Sequence, residues 1–578
     1  MDNHLWLLFQ LLALCTISVS GKVFVSIDCG ASGSFKDENS IEWKGDSDLI
    51  SNGVTHVVQS NYSVSQVLDT LRVFTTRKKN CYSVDVEEGE KILVRAGFNY
   101  GNYDKKLNPP VFDLLFDGNF WVTVNTTVWK RYEVIYVTKR NVISICVAQK
   151  NPNQFPFIST LEVRSLDSRL YNEVGENYAL FRELGTAYAV NETIRFPKDP
   201  YDRIWVPAAL SSDNGLVNLT NTATLINNDV PNNPPQAVLE NAISTPNVSR
   251  TITTSYTIID YPIRYPVYFK WYFTEVKVLN STESRSFIIY KDNEPFSLPI
   301  TPHFGNVTDY FISNLTYTTE VNFTIEAIGS STLPPLLNAF EGFSISDLLT
   351  EGTNNNDVEG LTSLQNAFSV LQEWRGDPCL PAPYSWEWIQ CNNDPTPRVT
   401  ALNLSSFNLS GPLPDFSKMD ALKIIDLHNN SLTGKIPNFL GTMPNLKKLN
   451  LADNQFSGSL PRSLTRNSDL NLSDTGNPLL CTKGKSCAGD DKNKTNKLPI
   501  ILGITIPVFI ICCAIVGVLL VRHNQRKAGV RSHSGSTSRG AIGLSSGTRG
   551  TIHDDLDEKS AEDKERFYSS PAPLLSKG

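Results

Sequence analysis

One apolar segment near the C-terminal end restricts every arrangement open to this chain. Leu498 to Val521 is 24 residues without a charge, about 36 Å as a helix against a hydrocarbon core of roughly 30 Å. Fourteen Asn-x-Ser/Thr sequons precede it and none follows. Arg522, His523, Arg526 and Lys527 come directly after it, the basic excess expected on a cytoplasmic flank. The expectation is a single-pass type I protein of the plasma membrane, its N-terminus extracellular, with a transmembrane helix over 498–521 and a cytoplasmic tail over 522–578. That tail starts basic, passes through the Ser/Gly-rich Ser532 to Gly550 and turns acidic from Asp554 to Glu565, the composition of a disordered segment. It is too short for a catalytic domain and carries no kinase signature, so any signal is expected to pass through a partner. At the other end, Trp6 to Val19 is apolar but too short to span, and Ser18-Val19-Ser20 offers small residues for cleavage. A signal peptide over 1–20 follows.

The sequons are Asn61, Asn125, Asn191, Asn218, Asn247, Asn280, Asn306, Asn314, Asn322, Asn403, Asn408, Asn429, Asn471 and Asn493, each a candidate for N-glycosylation. Cysteine use fits an oxidising compartment. Cys379 with Cys391, and Cys481 with Cys487, are local pairs expected as disulfides. Cys29, Cys81 and Cys146 form an odd set in which one thiol is left over. Cys81–Cys146 is the pairing expected, and the choice among the three stays open. No Cys/His cluster has zinc spacing, and no Gly-x-Ser-x-Gly, His-Glu-x-x-His or Walker loop occurs. Neighbouring carboxylates such as Asp46 with Asp48, or Glu87 with Glu88, do not make the spaced pair a glycosidase needs. No metal, no cofactor and no enzymatic activity are therefore expected. The net charge of −7 and the lack of a long basic block point away from nucleic acid.

Residues 22–345 carry many short alternating runs. Lys22 to Asp28, Lys91 to Phe98, Val111 to Phe116, Val142 to Val147 and Ser286 to Tyr290 each read as a strand. So much β sequence exceeds one sandwich core, so two all-β units are expected, with Asn232-Asn-Pro-Pro235 near their junction. Within this body Ile27-Asp-Cys-Gly30, Asn80-Cys-Tyr82, Tyr100-Gly-Asn-Tyr-Asp104, Asp199-Pro-Tyr-Asp-Arg-Ile-Trp205 and Leu333 to Glu341 resemble the malectin-like ectodomain of plant receptor-like kinases. The resemblance covers 24–345 in order and implies a tandem pair of malectin-type β-sandwiches over 21–345 that bind carbohydrate or peptide. It also implies a ligand-contacting role for Tyr100, with Tyr103 and Asp104 beside it. Sugar rings stack on aromatic faces while carboxylates accept their hydroxyls. Gly101 stands where malectin carries a second aromatic, so packing within a turn is the competing expectation for both tyrosines. Asp199-Pro-Tyr-Asp-Arg203 is expected to be a structural turn.

A polar linker over 346–357 leads to an expected helix from Val358 to Trp374, capped by Asp357, with Leu361, Leu364, Phe368 and Leu371 on one face. Gly376-Asp-Pro-Cys379, Trp386, Trp388 and Cys391 resemble the N-terminal cap of plant leucine-rich repeats, placed here over 358–397. The Gly-Asp-Pro-Cys motif is similar to that of the symbiosis receptor-like kinase group. Leu402-x-Leu404, Ile425-x-Leu427 and Leu449-x-Leu451 recur with Gly411, Gly434 and Gly458 and with Pro414, Pro437 and Pro461. This is the plant extracellular repeat pattern, expected over 398–490 with its closing cap. Asn430 and Asn454 are expected to form a buried ladder. The fold class is thus mainly β: tandem malectin-like sandwiches, a short repeat solenoid, one membrane helix and a disordered tail. The function implied is a kinase-less receptor-like protein that binds an extracellular glycan or peptide ligand and acts with a receptor kinase or co-receptor. A structural anchor between plasma membrane and cell wall is the alternative.

Overall fold

The computed structural model describes residues 22–208, 215–257, 265–317 and 320–481. The expected signal peptide, membrane helix, tail, Cys487 partner and Asn493 sequon lie outside the described residues. Among those described, no helix is long and apolar enough to cross a membrane.

All five strands read from the sequence are present, because each alternates or buries its apolar residues on a sheet face. One eleven-stranded sheet runs through the whole head. Its first half orders Ser34–Lys36, Glu42–Gly45, Phe24–Asp28, Thr160–Ser165, Lys91–Phe98 and Lys130–Val137. This half shares a core with the four-stranded sheet containing Lys79–Asp85, Val142–Gln149, Val111–Phe116 and Asn119–Asn125. A three-stranded sheet of Phe157–Ile158, Thr70–Val73 and Val54–Val57 closes the same core. Leu180–Ala187 then pairs with Lys130–Val137 through Ile135 and Leu180, carrying the sheet on to Ala339–Ile345, Tyr265–Phe273 and Thr308–Tyr317. A second core, with Phe269, Trp271, Phe323 and Phe340 buried in it, fills the other sandwich.

The chain passes between the sandwiches after Thr160–Ser165 and before Leu180–Ala187. The crossing therefore precedes the Asn232-Asn-Pro-Pro235 stretch, which instead staples the two. Asn232 accepts from Tyr171 N at 2.7 Å and donates to Tyr268 Oη at 3.0 Å. Across the seam lies a buried ion network. Glu133 receives Arg95 Nε at 2.7 Å and Arg182 Nη1 at 3.3 Å, and Arg182 reaches Glu341 at 3.1 Å. Asp202 receives Arg164 at 2.9 Å and Arg195 at 2.8 Å. Asp199-Pro-Tyr-Asp-Arg203 is a turn, and its charges are interior ones: Asp199 bonds Arg203 Nε at 2.8 Å and Trp205 Nε1 at 2.9 Å.

The repeats follow as parallel strands Val399–Asn403, Ile424–Asp426, Lys448–Asn450 and Asn471–Ser473, with Ile389–Cys391 antiparallel at the open end. Asn430 accepts from Leu409 N at 3.0 Å and donates to Leu404 O at 2.8 Å. Asn454 repeats the arrangement on Leu432 N and Leu427 O. Asn477 adds a rung the sequence reading missed, accepting from Phe456 N at 3.0 Å and donating to Leu451 O at 2.9 Å. It sits in the degenerate fourth unit, where no repeat glycine-proline pair marks its register.

The helix before the repeats differs from expectation. It spans Asn355–Ala367 and is capped by Asn354, whose side chain accepts from Asn356 N. Asp357 lies inside the first turn, buried, and takes Arg398 Nε at 2.8 Å and Val399 N at 2.8 Å. Asn354 competes as well as Asp357 for the cap, and ion pairing with Arg398 removes Asp357 from that role. The helix stops at Phe368, which is extended at φ −126°, and a short 3-10 turn, Ser369–Leu371, follows. Leu361, Leu364, Phe368 and Leu371 nevertheless share one core.

Candidate functional site

The loop after strand Lys91–Phe98 folds back on itself through its own polar groups. Gly101, at φ +47°, has Val58 so near that an added Cβ would lie 2.3 Å from that side chain. A second aromatic at that position is sterically excluded. Tyr100 donates its hydroxyl to Asp104, Lys106 N reaches the same carboxylate at 3.2 Å, and Leu107 N bonds Asn102 Oδ1 at 2.9 Å. Tyr100 is only 6% exposed, set edge-on to Tyr103 at 5.5 Å between ring centroids and 6.4 Å from Phe157. The loop thus brings Tyr100, Tyr103 and Asp104 together, with Tyr100 as a packed support whose ring face is covered.

Tyr103 is half-buried and lies against His56 at 4.8 Å. His56 was not legible as a site residue: it is a lone histidine on a four-residue strand, brought beside Tyr103 only by the fold. Burial pushes the Tyr100 hydroxyl well above its ordinary value and the Tyr103 hydroxyl to about 12. For Asp104 burial acts upward, but the hydrogen bonds from Tyr100 and Lys106 outweigh it and hold the carboxyl low. The result is a partly open aromatic pair rimmed by a carboxylate, chemistry suited to a sugar ring or a peptide side chain.

A second constellation lies where the head meets the repeats. Gly376, at φ +77°, packs on the Cys81–Cys146 disulfide, and an added Cβ would lie 2.5 Å from Cys81 Sγ. Asp377 accepts from Thr353 N at 2.8 Å, Cys379 N at 3.0 Å and Leu380 N at 2.9 Å. From the head, Lys79 Nζ donates to Asp377 O at 2.6 Å and Leu380 O at 3.0 Å, and from the cap Tyr384 donates to Asp113 of the head at 2.6 Å. Arg77 pairs with Glu373 and lies 4.8 Å over the Trp374 ring. Cys379 and Cys391 are disulfide-bonded, while Cys29 is a buried free thiol. The expected polar linker is a docked strap: Thr350 N bonds Asn119 Oδ1 at 2.9 Å and Thr353 is buried. Beside it opens a cavity of about 330 Å³ lined by Asp117, Arg140, Glu351 and Asp377. Burial pushes the Asp117 carboxyl up to about 6 against hydrogen bonds from Ser144 and Tyr136. Among the described sequons, Asn61, Asn125, Asn191, Asn218, Asn247, Asn280, Asn306, Asn322, Asn408, Asn429 and Asn471 are exposed, and Asn403 is half-buried.

A family model for the malectin-like domain matches residues 27–345, and one for the leucine-rich repeat matches 421–443 and 445–467. An uncharacterized Arabidopsis thaliana protein, At1g24485, is 35% identical over 361 residues, covering 61% of this chain and 70% of that protein. The probable LRR receptor-like serine/threonine-protein kinase At1g05700 of Arabidopsis thaliana is 33% identical over 403 residues, covering 67% of this chain and 46% of the kinase. The Arabidopsis thaliana kinase IOS1 is 31% identical over 72% of this chain and 47% of its own length. The chain spans about half the length of these kinase relatives. The crystal structure of the ANX2 ectodomain from Arabidopsis thaliana aligns at 18% identity and TM-score 0.49, over 56% of this chain and 97% of that one. By the family match over its head and the repeats that follow, the chain belongs to the malectin-like, leucine-rich-repeat receptor-like proteins of plants.

Proposed function

We propose that this chain is a plasma-membrane receptor-like protein of single-pass type I topology, without enzymatic activity of its own. Its head captures an extracellular ligand, a cell-wall carbohydrate or a secreted peptide, and it acts beside a receptor kinase that carries the signal inward. The observation that carries the proposal is the Tyr103–His56 pair with Asp104 at its rim, held by a loop whose other tyrosine is spent on support. The clamp between head and repeats favours the same reading, since a ligand held by the head would be held by one body with the repeats. Kinase relatives supply the class of partner.

Calorimetric titration of the purified glycosylated protein with di- to hexa-saccharides of cell-wall origin tests the site. Saturable binding is expected, weakened roughly tenfold or more in Tyr103→Ala, the loss of one aromatic contact of about 1.4 kcal/mol. Tyr100→Phe is expected to stay within about threefold of wild type. Equal affinity in wild type and Tyr103→Ala would remove the site from this loop. No binding across the panel would exclude these glycans and leave the peptide alternative.

A further inference from the structure

The strand Val54–Val57 is the outer strand of its three-stranded sheet and pairs only with Thr70–Val73. Val58 N donates inward to Asp69 O at 2.9 Å. Because antiparallel pairs alternate, the N–H and C=O groups of Thr55 and Val57 point outward, and no described residue bonds to them. The next outward position is already in use: Gln59 N donates to Gly101 O at 3.0 Å, so the site loop continues the same edge.

Native sheet edges are normally blunted by charge, proline, bulges or a cover, and most other edges of this head follow the rule. Ser34–Lys36 ends in Lys36 and runs into Asp37 and Glu38. Thr308–Tyr317, Asn119–Asn125 and Val217–Thr220 carry the sequons Asn314, Asn125 and Asn218. Glu294–Pro295 and Val206–Pro207 hold prolines, while Ile252–Thr257 has no charge, proline or sequon of its own and pairs with the strand that carries Asn322. Lys79–Asp85 is covered by the repeat cap through Lys79, and Phe157–Ile158 and Leu336–Leu337 are buried. Asn52 to Gln59 has no charge, no proline and no sequon. Asn61 lies just beyond, in the turn Ser60–Tyr62. Val54 is 51% exposed and Val57 67%, and Leu107 in the adjoining loop is 71% exposed.

We infer that this edge docks an extended, uncharged peptide segment as an added β-strand, with the Tyr103–His56 pair receiving a side chain at its end. The edge supplies a register of outward donors and acceptors that only an extended backbone can match. Its β-branched, charge-free surface selects apolar or β-branched residues at alternate positions. The inference rests on the reading of the head as the ligand-binding part and names the peptide branch of it.

The test pans a random-peptide display library on the purified full-length glycoprotein and compares wild type with Val57→Pro, Val57→Ala and Tyr103→Ala. Proline at an outward-facing edge position removes a docking donor without breaking a ladder bond. Enriched peptides should be rich in β-branched residues, bind Val57→Pro at least about tenfold more weakly, and bind Val57→Ala with a smaller loss. They should also slow amide exchange at Thr55 and Val57 in wild type. That exchange decides alone if Val57→Pro does not fold. Peptides that bind Val57→Pro as well as wild type but fail on Tyr103→Ala would overturn strand addition while leaving the head's ligand site in place. A library that yields no peptide protecting these amides would overturn it too, with the saccharide titration still bearing on the head. Concentration-dependent dimerisation lost in Val57→Pro, without peptide enrichment, would assign the edge to a second copy and overturn the proposal.

Discussion

At the residue scale the loop residues divide the work of the site. Tyr100 is spent on support: its hydroxyl is tied to Asp104 and its ring is enclosed. Tyr100→Phe removes one hydrogen bond and is expected to cost about 1 kcal/mol, whereas Tyr100→Ala leaves a cavity worth about 3–5 kcal/mol. Thermal denaturation of the two variants should show that ordering, and a Tyr100→Ala protein as stable as wild type would contradict the packing role. The sequence placed Tyr100, Tyr103 and Asp104 in one loop because they are neighbours in the chain. The resemblance put Tyr100 first for ligand contact, whereas Tyr100 is the more enclosed of the two tyrosines, because exposure depends on Val58 and Phe157 arriving from elsewhere. His56 was invisible for the same reason.

At the scale of elements, repeats were the most legible part and the strap the least. The repeat positions announce themselves by period, and Asn430 and Asn454 stand where the pattern puts them. Asn477 and the true helix cap Asn354 were missed, because a degenerate repeat and a run of three asparagines give no unique register. Asn454→Ala leaves Leu432 N and Leu427 O without their buried partner and is expected to cost about 1–3 kcal/mol. The loss should appear as earlier unfolding of the repeats in urea. The strap reads as a polar linker, since its bonds go to residues more than two hundred positions away, such as Asn119. Gly376, in the repeat cap, is the tightest contact between cap and head. Gly376→Ala forces a side chain into the left-handed region and into the disulfide, expected to cost about 1–3 kcal/mol. Limited proteolysis should then cut between head and repeats, and an uncut variant would contradict the clamp.

At the scale of the whole molecule, buried carboxyls shifted in opposite directions shape the pH response, Glu133 and Asp117 among them. Burial alone would raise the Glu133 pKa, but Arg95, Arg182 and Arg131 overcome it and hold it at about 2, below its ordinary 4.5. The stability this gives is present above about 4.5 and is lost as pH falls toward 2. Asp117 is shifted the other way, from 3.8 to about 6, chiefly by burial. Its contribution is full below about 3.8 and is lost as pH rises through 6. The melting temperature is therefore expected to be highest in acidic solution, near about pH 4. Asp117→Asn should flatten the fall between about pH 4 and 6, and an unchanged slope would show that Asp117 does not contribute to it. The two-sandwich plan was legible because strand patterning is local. The continuous eleven-stranded sheet and its ion network were not, because they join Arg95 and Glu133 to Arg182 and Glu341 across long stretches of chain.

Head and repeats are clamped into one body, and hydrogen exchange on the intact protein reads that clamp. The amides of Thr350 and Lys78, which donate across the junction to Asn119 and Glu387, and those of Thr353 and Cys379, which Asp377 holds beside it, are expected to exchange as slowly as those of the sandwich strands. Exchange of these four at the rate of open loops would mean that the head swings on its stalk, and would contradict the account.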